Sequence, residues 1–69
     1  MNPINHIEVA IYFVRACGPV TKAGIAHEIL VQVTGATKAN CDDLAGKAIA
    51  HGLDRGWLEK YDDESFCLA

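Results

Sequence analysis

Apolar residues recur at helical spacing in three stretches of the chain and at strand spacing in a fourth. In the first stretch Ile4, Ile7, Ala10, Ile11, Val14 and Cys17 fall on one side of a 3.6-residue wheel. Val9 and Phe13 widen that stripe, so the helix is expected to be covered on more than one side. Asn2 suits the cap, Pro3 the first helical position, and Gly18-Pro19 the stop. In the second stretch Thr21 caps a helix beginning at Lys22, with Ile25, Ala26, Ile29, Leu30 and Val33 as its apolar side. Thr34-Gly35-Ala36 breaks the pattern, with Gly35 suited to a helix C-terminus. Thr37 caps the third helix, on which Cys41, Leu44, Ala45, Ala48, Ile49 and Leu53 gather, and which should stop near Asp54-Arg55-Gly56.

After Gly56 the period changes from 3.6 to 2. Trp57–Tyr61 and Ser65–Leu68 read as two short strands around Asp62-Asp63-Glu64. The turn holds no glycine, which favours a four-residue loop over a type I′ turn. Trp57 and Tyr61 then share a face with Phe66 and Leu68 and are expected to close the core over the third helix. The expected fold class is mainly α with a small β-hairpin, one domain over residues 1–69.

The order of helix, short extended segment, helix, helix and hairpin resembles the winged helix-turn-helix family over nearly the whole chain. Two segments carry the resemblance. Ile49-Ala50-His51-Gly52-Leu53-Asp54-Arg55-Gly56-Trp57-Leu58 looks like the end of a recognition helix and the start of the wing, and Pro19-Val20-Thr21-Lys22-Ala23-Gly24-Ile25-Ala26 looks like the start of the second helix. Val20 stands where a short first strand often lies in that family. The resemblance implies three helices plus a C-terminal two-stranded wing, and duplex DNA as the usual partner. Two features depart from it. The second helix runs on through Leu30-Val31-Gln32-Val33, and the tip Asp62-Asp63-Glu64 is acidic where DNA-contacting wings carry Arg or Lys.

Charge complicates that implication. Six Lys and Arg stand against nine Asp and Glu, a net charge of −3, whereas non-specific DNA affinity comes from cations that neutralise phosphates. With 51% hydrophobic and 22% charged residues the chain is too apolar and too weakly charged for intrinsic disorder. It has no apolar run long enough for a membrane span and no signal-peptide pattern, so a cytoplasmic protein is expected. Cys17, Cys41 and Cys67 are odd in number and far apart, which fits a reducing compartment and three small buried hydrophobes.

Two partner classes remain open. For a transcriptional regulator on duplex DNA, the third helix offers Lys38, Asn40 and Lys47 toward bases and phosphates. Thr21, Lys22 and Thr37 lie at helix N-termini, where amides, hydroxyls and the dipole favour an anion. For a basic nucleic-acid-binding protein as partner, the same helix offers the small residues Ala39, Gly46 and Ala50, and Asp43, Asp54, Asp62, Asp63 and Glu64 supply complementary charge. Small phage-encoded inhibitors of host defence, anti-CRISPR proteins and DNA mimics among them, are a class that such a size and charge would suit. An exposed aromatic at Tyr12 or Phe13 would favour a homodimer through the first helix, which would also double a DNA footprint.

Catalysis and cofactors are not expected. His6, His27 and His51 sit in different elements without ligand spacing, and Cys41 is followed by two aspartates that disfavour a thiolate. No nucleophile, base and acid order or phosphate-cradling glycine loop stands out.

Overall fold

A computed structural model describes residues 5–33 and 35–69. Among them are three helices and three strands: α1 (His6–Cys17), β1 (Val20–Thr21), α2 (Lys22–Gln32), α3 (Lys38–Arg55), β2 (Leu58–Lys60) and β3 (Ser65–Leu68). The protein is mainly helical with a small antiparallel sheet.

Each helix starts where a side-chain oxygen meets an orphan amide. The Glu8 N–H donates to Asn5 Oδ1 at 2.8 Å, and Glu8 adds an acid to the first turn of α1. Asn5 therefore caps this helix. The expected cap at Asn2, the first turn at Pro3 and the stripe residue Ile4 lie outside the described residues, as does Thr34 of the second connector. Thr21 and Thr37 cap α2 and α3 as their sequence positions predict, accepting from the Gly24 and Asn40 amides at 3.1 and 3.2 Å. Helix α3 ends in a Schellman turn on Gly56 (φ +77°), where the Gly56 N–H donates to Leu53 O and the Trp57 N–H to Gly52 O. Gly35 has φ +83° but sits in the α2–α3 connector, because α2 already stops at Gln32 with Val33 as its cap.

The core is drawn from all three helices. Val9, Ala10 and Val14 of α1 meet Ile25, Ala26 and Ile29 of α2 and Cys41, Ala45, Ala48 and Ile49 of α3. Ile25 and Ile29 are fully buried, each contributing about 1.5–3 kcal/mol of apolar burial. Three residues of the predicted stripes are exposed instead: Cys17 at the end of α1, Leu30 on α2 and Leu53 on α3. The α3 face that meets the sheet is finished by buried Gly52 rather than Leu53.

The sheet differs from the expected two-stranded hairpin. Its order is β1-β3-β2, so Val20–Thr21 adds a third strand that pairs Val20 with Phe66 and Thr21 with Ser65. The hairpin pairs Leu58 with Leu68, Glu59 with Cys67 and Lys60 with Phe66. Alternation then sends Leu58 and Phe66 toward the helices, and Leu58 is 2% exposed. Trp57 and Tyr61 are not the lid: they are 47% and 64% exposed. Trp57 precedes the strand and stands edge-on to the His51 ring, centroids 5.3 Å apart. Four residues, Tyr61 to Glu64, separate the strands, matching the loop length read from the glycine-free turn.

Candidate nucleic-acid interface

Of the predicted contact residues, the structure brings Lys22 of α2 against α3 at Gly46, whereas Lys38 lies beside His27 and Leu30 farther along α2. Lys22, the first residue of α2, extends across to α3: its Cε and Nζ lie 3.6 Å from where a Cβ on Gly46 would stand. The Lys22 side chain thus lies within ordinary contact distance of position 46, and the start of α2 meets the middle of α3 on one surface. Lys47 is the next residue and Ala50 the next turn, both exposed. Asn40 and Lys38 are exposed in the first turn of α3. Lys38 also borders a groove of about 340 Å³ between α2 and α3, with His27, Asp42 and small α2 residues along it.

The two helix starts share an unusual chemistry. Both α2 and α3 carry lysine at the first helical position and no acid in the first turn, in contrast to α1. Helix N-termini ordinarily attract carboxylates, and a cation there costs about 0.3–1 kcal/mol. Thr21 and Thr37 Oγ1 accept the cap amides and each hydroxyl proton is left to donate outward. Hydroxyls, uncompensated helix dipoles and lysines are a set of groups that suits an anion.

The carboxylates are placed less uniformly. Asp43 Oδ2 is 3.1 Å from Lys47 Nζ, an exposed i,i+4 pair that sets a carboxylate beside the Lys47 ammonium. Asp54 is exposed at the far end of α3. In the hairpin tip, Asp62 Oδ1 accepts from the Glu64 and Ser65 amides at 2.9 and 2.8 Å, which shapes the turn. The Glu64 amide bond is the main influence holding the Asp62 carboxyl below its ordinary value, with Ser65 and Lys60 adding to it. Asp62 therefore has a local structural role, which leaves Asp63 and Glu64 as the charges presented outward.

An open groove of about 780 Å³ runs between α1 and the ends of the sheet. Ile7, Ile11 and Tyr12 form one wall and Trp57 and Leu68 the other, with Glu8 and Arg15 along the α1 rim. Sequence periodicity assigned Trp57 to the core and so missed this groove; exposed Tyr12 was the available signal.

No protein-family model, curated protein or solved structure matches this chain. The surface around α3 must be interpreted from its own chemistry. Among the described residues no group of three or more His, Cys, Asp or Glu is arranged to hold a metal ion, and no helix is long and apolar enough to cross a membrane.

Proposed function

We propose that this protein is a small winged-helix DNA-binding regulator that grips duplex DNA through α3 and the start of α2. The observation that carries this reading is the pair of lysine-led, acid-free helix starts, with Lys22 drawn over Gly46 onto α3. A helix gives up dipole stabilisation to hold a cation at its first turn, and a phosphate there reverses that cost. Lys22, Lys38 and Lys47 then neutralise phosphates, Thr21 and Thr37 hydroxyls donate to them, and Asn40 reads an adenine edge. The hairpin contributes no clamp, since Asp63 and Glu64 repel the backbone.

Fluorescence anisotropy with a mixed-sequence duplex across a salt series tests this. Three phosphate-neutralising lysines predict a slope of log K against log salt of about −2.7. Changing Lys22 or Lys38 to Gln removes about one unit of slope each, while Glu59→Gln on β2 leaves it unchanged. Absence of binding at low salt refutes the proposal.

A second reading, a protein-binding winged helix that docks on a basic nucleic-acid-binding factor, is favoured by the Asp43–Lys47 pair and by the outward Asp63 and Glu64. It predicts no duplex binding, and loss of a co-purifying basic protein when Asp63 and Glu64 are changed to Lys. If the variant retains that protein, this reading falls.

A further inference from the structure

The groove beside α1 carries a charge pattern that differs from the rest of the surface. Its α1 rim holds one acid and one base, Glu8 and Arg15, seven residues apart on the side that carries Tyr12. Among the described residues neither is in an ion pair. They stand about 10 Å apart along the helix axis, with their midpoint between Ile11 and Tyr12. A pattern of this kind complements itself when a second copy is turned through 180° about that midpoint.

We propose that two copies of this chain associate through this groove, with the α1 helices antiparallel about a two-fold axis passing between Ile11 and Tyr12. Glu8 of one protomer then faces Arg15 of its partner, and the reciprocal pair forms on the other side, as an isologous contact requires. A parallel arrangement would set Glu8 against Glu8, so the charges select the antiparallel one. Exposed Tyr12 and Trp57, at 61% and 47%, supply the apolar centre, and aromatics of this kind anchor interfaces. A strongly basic or acidic partner finds no complement in a groove whose two rim charges cancel. An interface at the small end of the stable range, roughly 1,200 Å² in total, takes about an eighth of each protomer's 4565 Å² surface. This inference stands independently of the DNA proposal, because none of the residues lining the groove is among the proposed DNA contacts.

Sedimentation equilibrium without nucleic acid tests it, with circular dichroism checking that each variant is folded. The parent chain is expected to dimerise with Kd of about 1–100 µM. Tyr12→Asp weakens this at least about tenfold. Arg15→Glu leaves two acids on the rim and Glu8→Arg two bases, so each variant alone is largely monomeric. An equimolar mixture of those two variants associates at least about tenfold more tightly than either alone. A parent chain still monomeric at about 1 mM, a folded Tyr12→Asp variant of unchanged affinity, or a mixture no tighter than its components would overturn the proposal.

Discussion

Replacing Gly52 by alanine sets two effects of similar size against each other. Gly52 lies inside α3, where alanine is favoured over glycine by about 1 kcal/mol. The new Cβ, however, would stand 2.6 Å from Leu58 Cδ1 and 2.7 Å from Leu58 Cγ. Carbon atoms rest about 3.5–4.0 Å apart, so Leu58 must retreat by about 1 Å. It has little freedom to do so, being 2% exposed with its backbone held in the β2–β3 ladder. Overpacking of this kind costs about 1–3 kcal/mol, and two atoms in conflict place the cost in the upper half. The net expectation is a loss of about 1–2 kcal/mol, a fall in Tm of about 5–15 °C in thermal unfolding followed by circular dichroism. Leu58→Ala alone loses about 2–5 kcal/mol, but in that background Gly52→Ala has no clash and gains up to about 1 kcal/mol. The double-mutant cycle should therefore show about 2 kcal/mol of coupling. A Gly52→Ala protein as stable as the parent, or an equal effect in both backgrounds, refutes the close-approach account.

Gly46→Ala should instead stabilise by about 0.5–1 kcal/mol in urea unfolding, since its Cβ meets Lys22 only at an ordinary 3.6 Å. Thr37→Ala leaves the first turn of α3 uncapped and should cost about 1 kcal/mol by the same measurement. Asp62 predicts a pH effect: its carboxyl is depressed when folded, so its contribution is present above about pH 4 and is lost as pH falls through the lower folded value. Asp62→Ala should accordingly flatten part of the loss of urea stability on acidification, whereas Asp62→Asn keeps the turn acceptor and loses only the charge. Thiol labelling with a disulfide reagent should modify exposed Cys17 first and buried Cys41 only on unfolding. Half-buried Cys67 should be slower than Cys17, its thiol pushed up by burial and by Glu59.

The helices were legible because their signals are local. Thr21, Thr37 and Gly56 mark ends by chemistry within four residues, and the interior stripes follow a period that any wheel displays. The sheet was misjudged because its face is set by partners far away in sequence. Trp57 looked like a lid by size, but the glycine at position 52 leaves a space shaped for the neighbouring Leu58, which turns the strand the other way. Strand β1 is two residues long, too short for a period to register; only the winged-helix resemblance set a short strand at Val20, and the pairing with Phe66 and Ser65 makes it one. Among candidate site residues, the Asp43–Lys47 pair follows from i,i+4 spacing, whereas the crossing of Lys22 to Gly46 depends on how α2 meets α3, which no local pattern reports.

The middle position of β3 has a consequence for the order of events during synthesis. Val20 waits for Phe66, 46 positions later, while β2 waits for the same strand from its other side. Helices α1, α2 and α3 can collapse before that strand docks, since every buried member of their shared core except Leu58 lies at or before Ile49, and Phe66 packs on it only when β3 arrives. Until Ser65–Leu68 arrives, Val20–Thr21 and Leu58–Lys60 lack the partner that makes them strands, and their backbone groups are open to pairing with a neighbour. One four-residue segment pairs one side of each, and their outer sides remain the two edges of the finished sheet. A chain cut between Lys60 and Ser65 should accordingly keep its three helices and be prone to association.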